Sequence, residues 1–261
     1  MAESFFTHAG GDRFASTEAT VGPWSDQLMH GGPPAALLVY RSEQCAQAAA
    51  GGTIWRAART VVDFLGPVPV GDVEVNTAVA RQGRSAILVD AELRTAGRST
   101  MRARTWLVRL DPTAARTPST PRTPPIVTPE QAQPFEAWTF GYARHLQWRS
   151  VEGDPDAPGP SSAWARTRVP LVDAQPMSGL QHACLFADSA NGIGAEVSWD
   201  DWAFLNIDLT VHLLREPVDS WLLLAARSEL DPDAAGLSAS TLHDREGLVG
   251  HGAQTLVVRH R

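Results

Sequence analysis

The sequence predicts an α+β chain in which one long helix followed by antiparallel strands occurs twice. Each half contains a stretch with helical spacing of its apolar residues, followed by several stretches with strand-like alternation. The halves also resemble each other, because ARTWLVR at 103–109 aligns with AQTLVVR at 253–259 at an offset of 150 residues. A helix packed on an antiparallel sheet, formed twice by one chain, fits both observations.

The two predicted helices each precede the strands of their half. The first extends from Pro33 to Ala49 and follows the pair Gly31-Gly32, which favours a helix start. The second extends roughly from Met177 to Asn191 and ends at Gly192, since glycine is the usual residue just after a helix.

The predicted strands alternate apolar and polar residues or contain short apolar runs. Alternation is clearest at 205–213, where every odd-numbered position is apolar. The other predicted strands are 73–80, 86–95, 100–110, 163–169, 221–230, 237–244 and 249–259.

A segment rich in proline and threonine, residues 111–134, separates the halves. Its prolines cannot support a buried helix or a central strand, so it is expected to be an extended linker. We therefore predict an N-terminal domain at 1–110 and a C-terminal domain at 135–261. The stretch 152–162, rich in Pro, Gly and Asp, is expected to be a surface loop.

The composition limits the classes of function. All 22 basic residues are arginine, which excludes a Schiff-base lysine, a pyridoxal-phosphate lysine and a P-loop lysine. A net charge of −7 without a basic run argues against nucleic acid or an anionic membrane as the partner. The sequence also lacks GxSxG, HExxH and GxGxxG motifs. With two cysteines outside any CxxC pair and no membrane-length apolar run, we expect a cytoplasmic location.

Gln254 is a candidate site residue because alternation in the last strand places it on the same face as Leu256 and Val258. A buried amide without partners costs about 1–3 kcal/mol, so Gln254 needs a hydrogen-bonding partner. That partner is either a backbone group of the core or a ligand. The repeat aligns Gln254 with Arg104, so this position is polar in both halves but differs in its chemistry.

Two more candidates, Asp188 and Asn206, occur in the second half. Asp188 lies at the edge of an apolar helical stripe, one turn after Cys184, and Asn206 lies at the start of the alternating strand. The plain alternatives are a helix-end aspartate in solvent and an asparagine on a solvated sheet face. Together with Gln254, these residues supply a carboxylate and two amides that could hold a water molecule.

The tripeptide His30-Gly31-Gly32 precedes the first helix. Backbone N–H groups at a helix N-terminus have no intrahelical acceptor, so Gly31 and Gly32 could donate to an anion or a developing oxyanion. The alternatives are a glycine turn that only begins the helix and a histidine that only belongs to the loop.

Taken together, these motifs resemble the bacterial acyl-CoA thioesterase II (TesB-like) family, in particular its actinobacterial thioesterase-like branch. The resemblance spans nearly the whole chain. Its motifs are HGGPPAALLVYRSEQ at 30–44, RTVVDFLGPVPVGDVEV at 59–75, RQGRS at 81–85, LQHACLFADSANG at 180–192, FLNIDLTVHLLREP at 204–217, WLLL at 221–224 and GLVGHGAQTLVVR at 247–259. Members of the family are double hotdogs, so the resemblance implies two tandem antiparallel sheets, each wrapping a long helix.

The resemblance also implies a catalytic aspartate on the second helix, a hydroxyl residue on the next strand and a glutamine on the last strand. These roles fall on Asp188, Asn206 and Gln254, and Asn206 departs from the family's threonine or serine because it has no hydroxyl. The implied reaction is hydrolysis of a fatty acyl-CoA, in which Asp188 accepts a proton from a water held by the two amides. The oxyanion is expected to meet the N–H groups of Gly31 and Gly32. No acyl-enzyme and no separate cofactor are expected, since coenzyme A is part of the substrate.

Two other functions stay open. A hotdog (de)hydratase of enoyl or 3-hydroxyacyl thioesters would use a histidine with an aspartate, and His182 lies close to Asp188 in the sequence. A non-catalytic acyl-CoA binder is favoured if Asn206 is a lost hydroxyl. Arg81 and Arg84 are candidates for the phosphates of coenzyme A, although spacing does not select among the arginines. The resemblance makes a homo-oligomer possible, because exposed sheet edges of hotdogs commonly pair, but the sequence does not indicate the oligomeric state.

Overall fold

The computed structural model describes residues 3–49, 53–111, 120–136 and 138–261. The helices of this part of the chain are α1 (Gly32–Ala49), α2 (Gly141–Arg144), α3 (Gly179–Ala187) and α4 (Ala190–Ile193). Its strands are β1 (Phe6–His8), β2 (Arg13–Ser16), β3 (Trp55–Phe64), β4 (Asp72–Gln82), β5 (Ala86–Thr95), β6 (Arg98–Arg109), β7 (Gln133–Phe135), β8 (Leu146–Glu152), β9 (Ser161–Thr167), β10 (Trp202–Asn206), β11 (Asp208–Leu213), β12 (Leu222–Leu230), β13 (Ala235–Asp244) and β14 (Gly247–His260).

These strands form one large antiparallel sheet. Their spatial order is β1-β2-β4-β5-β6-β3-β11-β14-β13-β12-β9-β8-β7, and β10 also pairs with β14. The halves meet where β3 pairs with β11, with Asp208 opposite Asp63 and His212 opposite Arg59. The predicted pair of tandem sheets is therefore corrected to one continuous sheet. The physical reason is that the edge strands of the two halves hydrogen-bond to each other instead of ending in solvent.

The two predicted helices lie side by side on this sheet. Helix α1 packs on β3, β4, β5 and β6, while α3 contacts α1 and packs on β11 and β12. The first predicted helix is confirmed, and its first turn tolerates Pro33 and Pro34 because N–H groups there have no intrahelical acceptor. The second predicted helix is interrupted between α3 and α4, with Asp188 and Ser189 at the break. A long helix is thus found in the first half, and a short, broken one in the second.

A common apolar core joins the halves. It includes Leu37 and Val39 of α1 together with Leu185 and Phe186 of α3, all of them buried. Within the described residues, no helix is long and apolar enough to cross a membrane.

Part of the predicted linker packs on the second half. Residues 120–132 form neither helix nor strand, but Glu130 pairs with Arg245 at 2.6 Å, and the Trp164 indole N–H donates to the carbonyl of Val127 at 3.0 Å. The last residues of the predicted linker begin β7, which pairs with β8. Residues 112–119 lie outside the described part of the chain, and the domain boundaries at 110 and 135 stay a prediction.

The contact between α1 and α3 contains a carboxyl group, Glu43, that is largely removed from solvent. It accepts hydrogen bonds from the Ser178 hydroxyl at 2.7 Å and the Gln181 amide at 2.5 Å. Burial raises the pKa of Glu43 from 4.5 to about 7 despite these bonds, and the nearby Glu216 carboxylate adds to the rise. The folded state therefore holds this proton at pH values where the unfolded chain has lost it.

This carboxyl group should make stability depend on pH. Because the folded-state pKa exceeds the unfolded one, its contribution is complete below about pH 4.5 and is lost as the pH rises through about 7. We expect Glu43→Gln to be more stable than the wild type at pH 8, by up to about 3 kcal/mol, and to show no such gain at pH 4.5. Urea unfolding at both pH values measures this, with the exposed Glu229→Gln as the control. Equal gains at both pH values would contradict it.

Candidate functional site

A cavity of about 850 Å³ lies where the N-terminus of α1 meets the C-terminal end of α3. The first half contributes His30, Gly31 and Phe64 to its wall, and the second half contributes Asp188 and Asn206. Much of the remaining wall is apolar, as in most small-molecule sites. Its apolar and aromatic lining residues include Trp24, Leu28, Met29, Val68, Trp138, Phe140, Val197, Trp199 and Leu205.

Asp188 is the carboxylate in the wall of this cavity, and it is 4% exposed. It occupies the C-cap position of α3, so the helix break directs its side chain away from the helix. Asn206 Nδ2 donates to Asp188 Oδ1 at 2.8 Å, and His30 Nδ1 lies 3.0 Å from Oδ2. Gln254 Nε2 lies 3.5 Å from Oδ1. The candidates Asn206 and Gln254 thus both lie next to the carboxylate of the third candidate, Asp188.

Gln254 lies behind Asp188 and is 1% exposed, so its predicted burial is confirmed. Its amide nitrogen donates to the Asp188 carbonyl at 3.2 Å, and its amide oxygen accepts from the Asn191 N–H at 3.2 Å. Both groups belong to the break between α3 and α4, so Gln254 holds this break in place. Gln254 is not among the described residues that line the cavity.

Asn206 reaches the cavity because the strand pattern shifts by one residue at this point. Along β10, Asn206 is opposite Leu256, whereas along β11, Thr210 is opposite Ala253, which leaves one extra residue on this side. Such a bulge exchanges the two faces of a strand. It leaves Ile207 47% exposed at the edge of the cavity and turns Asn206 toward Asp188. The alternation at 205–213 predicts the opposite arrangement for both residues.

His30 is held by an aromatic stack as well as by Asp188. Its ring lies parallel to that of Tyr142, with centroids 3.9 Å apart and an interplanar angle of 8°. The Tyr142 hydroxyl donates to the Leu185 carbonyl at 2.6 Å and contacts Ser189 Oγ at 3.0 Å. Burial raises the pKa of Tyr142, so the hydroxyl keeps its proton. The local sequence contains no signal for these contacts of His30, because its partners Tyr142 and Asp188 are more than 100 residues away.

The two glycines after His30 differ in their surroundings. Gly31 lines the cavity, and its N–H donates to no group among the described residues. The Gly32 N–H donates to His30 Nδ1 at 3.1 Å. A Cβ on Gly31 would lie 2.8 Å from Asp188 Oδ2, and one on Gly32 would lie 2.4 Å from the Leu185 carbonyl oxygen. Glycine at both positions therefore lets α1 approach α3 closely enough to form the site.

The predicted correspondence between Gln254 and Arg104 is wrong. Arg104 points outward, where its side chain is 59% exposed and its Nε lies 2.7 Å from Asp90. In β6 the buried residue is Thr105 and in β14 it is Gln254, 149 positions apart, so the alignment at an offset of 150 is one residue out of register. The buried neighbour in β6 is Thr105, whose hydroxyl contacts that of Thr60 at 3.0 Å.

A second concavity, of about 660 Å³, covers the outer face of the first-half strands. Its charged residues pair with one another, as Arg104 does with Asp90 and Arg102 with Glu92. It contains none of the predicted site residues.

Other candidate residues lie outside the cavity. The His182 ring contacts the Ser178 carbonyl at 3.2 Å near the start of α3, and His182 is not among the cavity-lining residues described. Arg81 stacks over Trp106 at 5.6 Å, and neither Arg81 nor Arg84 lines the cavity. Arg259, at the end of β14, does line it and is exposed.

Solved structures share this fold over almost the whole chain. A candidate thioesterase from Novosphingobium aromaticivorans has a TM-score of 0.74 at 19% identity, covering 98% of this chain and 99% of that one. A hotdog-fold protein from Alicyclobacillus acidocaldarius has a TM-score of 0.73 at 13% identity, covering 97% and 95%. The acyl-CoA thioesterase II TesB2 from Mycobacterium marinum has a TM-score of 0.65 at 15% identity, covering 98% and 95%. At these identities the likeness concerns the hotdog fold.

The sequence itself matches two family profiles in tandem, although no curated protein sequence matches the chain. Residues 20–108 match the acyl-CoA thioesterase N-terminal domain, and residues 120–258 match the acyl-CoA thioesterase C-terminal domain. The second match alone covers more than half of the 261 residues, and together they include every residue of the site built around Asp188. The chain therefore belongs to the acyl-CoA thioesterase family.

Proposed function

We propose that this protein hydrolyses a fatty acyl-CoA thioester to the free acid and coenzyme A by direct attack of water. The observation that carries the proposal is the Asp188 carboxylate in the wall of a largely apolar cavity, with its oxygens held by His30 and Asn206. An apolar cavity suits an acyl chain, and a carboxylate at its wall supplies a base for water.

Asp188 is the centre of the proposed chemistry. In the simplest form of the reaction, its carboxylate accepts a proton from a water that attacks the thioester carbonyl. Asn206 lines the cavity beside it and can hold that water, whereas Gln254 is a positioning residue that keeps the Asp188 carboxylate and the helix break in place. An amide can both donate and accept hydrogen bonds, so Asn206 can serve without a hydroxyl.

The developing oxyanion needs donors that are already oriented. The Gly31 N–H is free among the described residues and belongs to the cavity wall, which supports its assignment to the oxyanion. Preorganised donors of this kind contribute about 2.7–4 kcal/mol each to transition-state stabilisation. The following Pro33 and Pro34 have no N–H, and the Gly32 N–H donates to His30 Nδ1, so the Gly31 N–H is the donor left for the oxyanion at this end of α1.

Release of free thiol from a panel of short, medium and long acyl-CoAs tests the proposal. We expect turnover by the purified wild type with a dependence on chain length that identifies the preferred acyl group. Saturable binding of acyl-CoA without any thiol release would contradict hydrolysis and favour a non-catalytic acyl-CoA binder.

The contact between His30 and Asp188 also favours a second candidate, a (de)hydratase of enoyl or 3-hydroxyacyl thioesters. Such an enzyme would use a histidine with an aspartate, and in this structure the histidine beside Asp188 is His30 rather than His182. Enoyl-CoA separates the two functions, because hydration removes the absorbance of the conjugated thioester without releasing thiol. Hydration faster than thiol release would favour the second candidate.

We propose Arg259 as a contact for the phosphates of coenzyme A. It is the one arginine among the described residues that line the cavity, and the chain contains no lysine. We expect Arg259→Gln to raise the KM for acyl-CoA about tenfold, the equivalent of about 1.4 kcal/mol, with kcat nearly unchanged. Acyl-pantetheine lacks the nucleotide phosphates, so its KM should not change. Exposed Arg227→Gln is the control, and an equal rise for both substrates would contradict the assignment.

A further inference from the structure

We infer that His30 is a second catalytic residue of this site, whose Nε2 takes the proton of the attacking water while Asp188 holds Nδ1. The inference rests on the proposed hydrolysis and changes the identity of the atom that receives the proton. It follows from the contacts of the imidazole ring and from the way in which the Asp188 carboxylate is covered.

The imidazole ring is fixed in one orientation. Its Nδ1 lies 3.0 Å from Asp188 Oδ2, and its face stacks on Tyr142 at 3.9 Å. Tyr142 is in turn fixed through its hydroxyl by the Leu185 carbonyl. Phe140 lies parallel to both rings, with its centroid 6.3 Å from that of His30 and 6.3 Å from that of Tyr142. A ring restrained at one nitrogen and on its face leaves the other nitrogen for a ligand.

That other nitrogen, Nε2, is available in the cavity. His30 lines the cavity, and its Nε2 forms no hydrogen bond with a described residue. Nε2 is also absent from the buried atoms that lack a partner, so it is accessible to a ligand. If Nδ1 carries the proton and donates it to Asp188, Nε2 carries the lone pair that a base needs.

The Gly32 N–H competes for the same nitrogen, at 3.1 Å from Nδ1. Nδ1 has one position in the ring plane, so it either donates to Asp188 or accepts from Gly32. A carboxylate is the stronger partner, since charge-assisted hydrogen bonds are about twice as strong as neutral ones. With Nδ1 committed to Asp188, the Gly32 N–H loses this acceptor, and the Gly31 N–H in the cavity wall is the proposed oxyanion donor.

The carboxylate itself is less suited to meet water directly. Asp188 is 4% exposed, Asn206 occupies Oδ1 and His30 occupies Oδ2. Its negative charge instead stabilises the imidazolium that forms when Nε2 is protonated.

The proton and bond changes then balance in two steps. Water loses a proton to His30 Nε2 as its oxygen bonds to the thioester carbon, and the carbonyl oxygen becomes an oxyanion. When the oxyanion collapses, the carbon–sulfur bond breaks, the sulfur takes the proton from Nε2, and the carboxylic acid and coenzyme A thiol leave. His30 returns to its starting state.

The test is the variant His30→Gln with His182→Gln as the matched control, since His182 lies outside the cavity. We expect His30→Gln to lower kcat at least a hundredfold with KM within about threefold, a typical loss for a general base. The pH dependence of kcat/KM caused by the wild-type base should disappear as well. His182→Gln should keep wild-type activity. Imidazole added to His30→Ala should restore part of the rate, which a structural role would not allow.

The failure of this inference is distinguishable from the failure of the proposed function. If His30→Gln keeps kcat within fivefold while Asp188→Asn is inactive, hydrolysis stands and Asp188 itself takes the proton. A wild type that releases no thiol refutes hydrolysis. Should the His30 variants fail to fold, nitrogen NMR of the wild type gives the tautomer: protonated Nδ1 with bare Nε2 is expected, and protonated Nε2 would overturn the inference.

Discussion

Asp188→Asn is expected to lower kcat for acyl-CoA hydrolysis at least a hundredfold while leaving the fold intact. The carboxylate is required whether it takes the proton of the water itself or stabilises the His30 imidazolium, and general bases contribute about 10²–10⁴ to the rate. Asparagine has nearly the same shape, so the contacts with Asn206 and Gln254 can persist in altered form. Thiol release at saturating substrate measures the loss, and thermal unfolding monitors the fold.

Asp200→Asn is the matched control for this experiment. Asp200 also lines the cavity but is exposed, and it is not within hydrogen-bonding distance of His30. We expect its activity to stay within about twofold of wild type. Activity of Asp188→Asn within tenfold of wild type, with the fold intact, would remove Asp188 from the catalytic centre.

Asp244→Asn is expected to destabilise the protein by about 3–5 kcal/mol, because it leaves a partly buried arginine without its counter-charge. The Asp244 side chain is 0% exposed and accepts two hydrogen bonds of 2.5 Å from the Arg215 guanidinium. It also accepts from the N–H groups of Val218 at 2.9 Å and Glu246 at 2.8 Å. The loss therefore affects both the turn between β13 and β14 and the segment between β11 and β12, and urea unfolding at pH 7 measures it.

The sign of the pH effect follows from the same contacts. Burial alone would raise the pKa of Asp244, but hydrogen bonds from Arg215 and the two N–H groups outweigh it and hold the pKa below 3.8. The contribution is present above pH 3.8 and is lost as the pH falls through the folded-state pKa. Asp90→Asn is the control, because Asp90 pairs with Arg104 at an exposed site. Equal destabilisation by both variants would contradict a special role for burial.

Much of the fold was predictable from local pattern. The helix at 33–49 and the strand at 86–95 recur in the structure nearly residue for residue, since apolar periodicity reports which face is buried. The joining of the halves into one sheet was not predictable, because the pairing of β3 with β11 links residues about 150 positions apart. Local spacing contains no signal for such a contact.

The candidate site, like the fold, was only partly predictable from the sequence. Gln254 was recognised as buried from alternation alone, and the resemblance linked it to Asp188 and Asn206. Alternation gave Asn206 the wrong face because the bulge at Ile207 shifts the register by one residue. The local sequence does not indicate the importance of His30, because it depends on two distant partners, Asp188 and Tyr142. Arg104 was overvalued because a repeat aligned one residue out of register exchanges the two faces of a strand.

The most direct test of the central claim, attack of water on the thioester at the Asp188 site, is a single turnover in ¹⁸O-labelled water with enzyme in excess over acyl-CoA. Direct attack predicts that the free acid of the first turnover contains one ¹⁸O atom. An unlabelled acid would show that its oxygen came from the protein, most simply from the Asp188 carboxylate acting as a nucleophile, and would contradict the mechanism.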